Sequence, residues 1–296
     1  FTLSDTALKI GDNATVNLEF SEVVIEFIAA DITNPNGSLP SMTSSDNITW
    51  TGTFTPATNT EVASNRFSLG SSSYTDLAGN AGPSETTANY AIDTLVPTIS
   101  SVTAAWGSYL NAAEDNSVGI VTVLTSGAES GQTVTLTLNS TNYTGTVSDN
   151  STAVTVAASG LQALTDGDNY TLTTNVSDAA GNAATVNTGT SFNYDRTPPS
   201  ISGAVAITGA GIQNNFLNVP DVVSATVTFS EVVNKTGTPQ LTLAVGDDNR
   251  TATYASGTGN APLVFTYTIQ AGDNDTDGIS IRANALALNS GSTIMD

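Results

Sequence analysis

The sequence has no cysteine and no histidine in 296 residues. Without cysteine there is neither a disulfide framework nor thiolate chemistry. Without histidine the usual general base and the usual zinc ligand are both missing. Cations are scarce: six Lys and Arg stand against 27 Asp and Glu, a formal net charge of −21. No cationic patch can then neutralise phosphates, which argues against nucleic acid or an anionic membrane as partner. No apolar run approaches the length of a membrane span, and Phe1 does not begin a signal peptide. With no initiator Met and an abrupt end at Asp296, the sequence reads as an excised piece of a longer chain. Divalent cations are the natural counter-charge for such a surface; a plainly soluble acidic surface from a saline source is the alternative, and the two are compatible.

What is present repeats. Asp76-Leu77-Ala78-Gly79-Asn80 followed by Asp93-Thr94-Leu95-Val96-Pro97 returns as Asp178-Ala179-Ala180-Gly181-Asn182 followed by Asp195-Arg196-Thr197-Pro198-Pro199. The offsets 178 − 76 and 195 − 93 both equal 102. A repeat of that length, closing on an acid and a proline, predicts separate domains rather than one large fold. The expected boundaries are 1–95, 96–197 and 198–296.

Within each unit short runs alternate apolar and polar residues with period two, the pattern of half-buried strands. Ala14, Val16, Leu18 and Phe20 share one face, and Ile48–Phe54 and Arg66–Gly70 follow the same logic. Thr133–Leu138, Ala153–Val156 and Tyr170–Thr173 alternate strictly, with branched Thr on the outward face. Ala157–Leu164 offers a short helical turn that Gly160 weakens. In the third unit Ala225–Val233 echoes Asn17–Val24, and Leu263, Phe265, Tyr267 and Ile269 share a strand face. Ile294-Met295-Asp296 aligns with Val176-Ser177-Asp178, so the third unit is expected to lack its final strand and to leave an edge uncovered. Seven or so short strands per hundred residues predict an all-β chain, a tandem array of three antiparallel β-sandwiches.

The Asp, the Ala-Gly-Asn behind it, and the later Asp-x-x-x-Pro resemble the bacterial Ig-like repeats of giant surface adhesins. The middle unit is the nearest to that pattern, through Tyr109–Glu114 and Leu161–Gly167. The third, from Thr238–Leu243 to Ala285–Asn289, resembles another repeat type of the same kind of protein. The resemblance spans nearly the whole chain. It implies secretion to the bacterial cell surface, further repeats, neighbouring Ig-like domains as partners, and calcium at the domain joints.

Calcium takes six to eight hard oxygens from carboxylates, amides and carbonyls. Ig-like topology then sorts the acids. The first joint gathers Asp12 and Asp93 against Asp178 and Asn182. The second gathers Asn111, Glu114 and Asp195, with Asp166 or Asp168, facing Asp296. Asp76 and Asn80 face an upstream neighbour. Asp12, Glu114 and Asp221 each fall just ahead of the second strand of their unit. Each Asp-x-x-Gly-Asn is also explicable as a tight turn in which Asp accepts backbone hydrogen bonds. Asp273-Asn274-Asp275-Thr276-Asp277-Gly278 repeats the first half of a calcium loop, but Asn284 stands where a bidentate Glu would follow. Asp273, Asp275 and Asp277 therefore form either a calcium loop or an acidic turn.

Trp50 and Trp106 are isolated and fit core or joint packing better than a sugar platform. Carboxylates alone suffice for glycoside hydrolysis, but these lie in turns without an aromatic cleft, so no enzyme is expected. The expected role is a calcium-rigidified spacer of a large secreted adhesin, serving cell adhesion or biofilm formation. A glycan- or protein-binding module of such an adhesin, and the accessory array of a polysaccharide-degrading enzyme, are the alternatives.

Overall fold

The computed structural model describes residues 1–213, 215–289 and 291–296. The chain is all-β apart from single helical turns, of which Ala158–Leu161 is the α-helical one expected near Gly160. It divides into two compact units, Phe1–Arg196 and Thr197–Asp296. The first holds two separate hydrophobic clusters and the second holds one.

The cluster running from Leu8 to Ile92 is enclosed by short strands. Ala14–Glu19 pairs with Thr49–Pro56, placing Ala14, Val16 and Leu18 inward as the alternation demands. Phe54, Phe67 and Tyr90 meet as an aromatic trio with ring centroids 4.9–5.8 Å apart. Trp50 packs edge-on to Phe27, so it belongs to this core. The run Arg66–Gly70 forms only the two-residue strand Ser68–Leu69, because Phe67 N–H turns aside to the Thr87 hydroxyl.

The cluster from Val102 to Tyr194 is a clearer sandwich. One sheet orders Thr98–Ala104, Gly119–Ser126 and Ser151–Val156. The facing sheet orders Tyr109–Asn111, Asn187–Asp195, Asn169–Val176, Thr133–Leu138 and Thr141–Thr146. Trp106 stacks edge-on to Phe192 inside it. In both clusters the closing strand runs parallel to the short strand near the start. Tyr90–Asp93 lies beside Ala7–Lys9, and Asn187–Asp195 beside Tyr109–Asn111.

In Thr197–Asp296 the sheet orders Ala206–Ala210, Val222–Thr236, Asn260–Thr268, Asp248–Ser256, Gln240–Val245 and Ser280–Ala287. Thr293–Met295 forms a short strand on the far end of Val222–Thr236. Val223, Ala225, Val227, Leu263 and Phe265 are wholly buried, as their alternation predicts.

Candidate metal centre

The hairpin Asp178–Asn182 is built by its own side chains. Asp178 Oδ1 accepts from Gly181 N (2.8 Å) and Asn182 N (2.7 Å), and Asn182 Nδ2 donates to Asp178 Oδ2 at 2.9 Å. Gly181 sits at φ +94°, a left-handed conformation that costs an L side chain roughly 1–2 kcal/mol. Gly181→Ala should therefore lower the unfolding free energy by about 1–2 kcal/mol in urea titration.

The earlier copy has the same interior. Asp76 Oδ1 accepts from Ala78 N and Asn80 N at 2.8 Å each, and Asn80 Nδ2 donates to Asp76 Oδ2 at 2.7 Å. The Asn80 amide and these backbone donors hold the Asp76 carboxyl below its ordinary range. The copies differ in what surrounds them. Asp76 is only half-buried and Asn80 exposed, whereas Asp178 and Asn182 are each 3% exposed.

Asn182 is buried because it bridges the two clusters of the first unit. Its Oδ1 accepts from Ile10 N and its Nδ2 donates to Asp93 O, both at 3.0 Å. Nearby, Glu129 Oε2 accepts from Ala179 N at 2.8 Å. Asp93 thus lies beside Asp178, Glu129 and Glu61. Burial, chiefly, and then the charges of Asp178, Glu61 and Glu129 push its carboxyl up, against the lowering effect of Leu95 N–H. Lys9 is the cation at this place: a Cβ added at Gly181 would lie 3.2 Å from its Nζ.

Asp12, Glu114 and Asp221 share one device, in which each acid accepts from the backbone N–H three residues earlier. The bonds are Lys9 N to Asp12 Oδ2 (3.0 Å), Asn111 N to Glu114 Oε2 (3.1 Å) and Asn218 N to Asp221 Oδ2 (2.6 Å). The alignment of these three acids in sequence is thus an alignment of one loop closure.

Around the second expected joint, Asn111 Oδ1 accepts from Ala113 N and Glu114 N, and Asn111 is the register partner of Asp195. Asp166 Oδ1 accepts from Arg196 N at 2.7 Å, and Asp168 O accepts from Tyr194 N at 3.0 Å. Sequence reasoning missed the residue at the centre, Asp115, which is fully buried. Its Oδ2 takes the Tyr194 hydroxyl at 2.6 Å and the Arg196 Nε at 3.0 Å, while its Oδ1 is buried without a partner. Burial first, and Asp115 second, push the Tyr194 phenol up to about 12. The available signal was the alternation Phe192, Tyr194: an inward tyrosine needs an acceptor for its hydroxyl.

In the third unit Asp273 is fully engaged. Oδ1 takes Arg250 Nε at 2.7 Å, and Oδ2 takes the Tyr267 hydroxyl (2.6 Å) and Gln270 N (2.8 Å). Burial pushes this carboxyl up, but the Tyr267, Gln270 and Arg250 donors outweigh it and hold it below its ordinary range. Asp275 Oδ1 accepts from Asp277 N and Gly278 N, and its Oδ2 is buried without a partner; Asp277 is exposed.

Residues 1–92 match the bacterial Ig-like domain. No curated protein matches the sequence. Among solved structures, the chain is similar to a 1.5-MDa bacterial ice-binding adhesin, in a structure concerned with retention on the host cell surface. The identity there is 20%, covering 94% of this chain and 93% of that one, with TM-score 0.41. It is also similar to a Ca2+-stabilized adhesin with which an Antarctic bacterium binds ice, at 19% identity over 93% of this chain and 70% of that chain, TM-score 0.38. A tetra-tandem repeat from the extending region of a large adhesion protein aligns at 17% identity over 92% and 66%, TM-score 0.29. No helix among the described residues is long and apolar enough to cross a membrane, which says nothing of β-barrels.

Proposed function

We propose that this chain is a spacer segment of a secreted bacterial surface adhesin, and that calcium stiffens the joint between its first two sandwiches. The observation that carries the reading is Asp93. Its carboxyl is pushed up by burial and by Asp178, Glu61 and Glu129, at the place where the Asn182 amide ties the two sandwiches together. Asp12, Asp93 and Asp178, with Glu129, offer only hard oxygens, the donor class calcium requires. A bound divalent ion would neutralise this cluster and cross-link the strand exit to the next sandwich. The residues themselves supply the rest. Asn182 sets the distance through neutral hydrogen bonds, and the Asp178 hairpin holds its carboxylate in one orientation.

The spacer role rests on the bacterial Ig-like match of residues 1–92 and on joints of this kind. Away from this joint, the charge of Asp115 is met by Arg196 and that of Asp273 by Arg250.

The test compares unfolding with calcium and with chelator. Calcium at a hundredfold excess over its dissociation constant should stabilise by about 2.7 kcal/mol. Asp93→Asn should remove most of that gain and stabilise the chelated protein. Protonation of Asp93 is favoured in the folded state. Its contribution to stability is therefore present below its unfolded pKa and lost as pH rises through the raised folded value. Chelated wild type should accordingly recover part of the calcium-dependent difference as the pH is lowered into the carboxylate range. Small-angle scattering that is the same with calcium and with chelator would sink the stiffening reading.

A further inference from the structure

The strands Thr133–Leu138 and Thr141–Thr146 of the second sandwich are joined by Asn139 and Ser140. Their φ values of +47° and +62° are those of a two-residue type I′ hairpin turn. All six residues of Thr141–Thr146 pair with Thr133–Leu138 without a register shift, and the strand is the last in its five-stranded sheet. Among the described residues, the other side of its backbone has no hydrogen-bond partner. Thr141, Asn142, Thr144 and Thr146 are exposed.

Edge strands are ordinarily kept from pairing with other chains by shortness, charge, proline, a bulge or a cover. In the first sandwich the edge strands are two or three residues long, except Glu61–Asn65, which opens on a carboxylate. In the second, Tyr109–Asn111 is short, and Thr98–Ala104 follows Pro97 and shifts register between Ile99 and Ser101. Ser151–Val156 lies against the hairpin, so closely that a Cβ added at Gly145 would sit 3.0 Å from Ala153 O. Thr141–Thr146 has none of these devices. No charged residue occurs between Glu129 and Asp149 or between Asp149 and Asp166, and no proline between Pro97 and Pro198.

We propose that Thr141–Thr146 is a self-association edge. Its partner is the same strand in a second copy of this chain, running antiparallel across a two-fold axis. Charge selects both the place and the direction. Each copy carries a formal charge of −21, so two copies meet with least repulsion where neither is charged. Asp149, in the turn that follows Thr146, is the charge next to the strand. Antiparallel pairing sets it against the uncharged Asn139-Ser140 tip of the other copy, whereas parallel pairing would set Asp149 against Asp149. Main-chain hydrogen bonds supply the affinity, and Asn142, Thr144 and Thr146 meet their own kind across the axis. Six paired residues bury far less than a standard interface, so one contact is weak. Copies displayed side by side raise their effective concentration and offset that weakness. The proposal does not depend on the metal reading.

The full chain, with chelator and at physiological ionic strength, is followed from micromolar to millimolar concentration by sedimentation and backbone NMR. Saturable, concentration-dependent shifts along Thr141–Thr146 are expected. Thr144→Lys sets like charges across the axis and should weaken association roughly tenfold. Thr122→Lys makes the same change of charge at an exposed position of the other sheet and should alter association by less than about twofold. Both variants should keep the wild-type circular dichroism. The chain has no cysteine, so a nitroxide on Thr146→Cys reads the direction of pairing. Mixed with an isotope-labelled copy that carries no nitroxide, it should broaden the Thr141 amide of that copy more than the Thr146 amide. No self-association, which would leave the edge to a foreign strand, would overturn the proposal. So would equal association of the two Lys variants, shifts confined to other strands, or stronger broadening at Thr146.

Discussion

Asn182→Ala is expected to destabilise the first unit by about 2–4 kcal/mol. Three hydrogen bonds end on this one amide, two of them reaching Ile10 N and Asp93 O in the other sandwich. Each is worth about 1 kcal/mol net, and of their partners the Asp178 carboxylate would be left buried. The matched control is Asn80→Ala. Asn80 closes the same hairpin but is exposed, so its loss should cost within about 0.5 kcal/mol. Urea unfolding of the two variants reads the difference directly. Equal effects would mean that the amide serves its own hairpin and nothing beyond it.

Asp115→Ala should be nearly as costly, by about 2–3 kcal/mol. Removing one member of a buried pair typically costs 3–5 kcal/mol. Here Arg196 is 43% exposed and can turn to water, while the unpartnered Asp115 Oδ1 disappears with the substitution, so the effect falls below that range. What remains is the Tyr194 hydroxyl, buried without its acceptor. Tyr194→Phe removes that donor, and the double variant should lose less than the sum of the singles. Additive losses in the unfolding midpoints would show that the two groups do not share an interaction.

The strands were legible because their cause is local. Ala14, Val16 and Leu18, or Leu263 and Phe265, alternate in sequence and lie buried on one face in space. The hairpin at Asp178 was legible for the same reason, since an Asp, a glycine at positive φ and an Asn four positions after the Asp specify one turn without help from elsewhere. Asp115 was not. In sequence it is one more acid beside Glu114 in a polar turn, and the tyrosine that gives it meaning is 79 residues away. Asp273 misleads in the opposite direction. Its spacing to Asp275 and Asp277 suggests a metal loop, yet Arg250 and Tyr267, on neighbouring strands, occupy both its oxygens. Lys9 and Arg196 likewise looked too few to matter, but each is placed against one of the acidic clusters. Composition gives the number of charges; only the fold decides which of them meet.

The parallel pairing of opening and closing strands has a consequence under tension. In each of the first two sandwiches one strand of that pair lies near the entry of the chain, just after Thr2–Leu3 or Thr98–Ala104, and the chain leaves along the other. Pulling the ends apart drags two parallel neighbours in opposite directions, so the bonds from Ala7–Lys9 to Ala91–Asp93, or from Tyr109–Asn111 to Asn193–Asp195, are sheared together rather than unzipped in turn. Each sandwich is thereby latched against force along the chain.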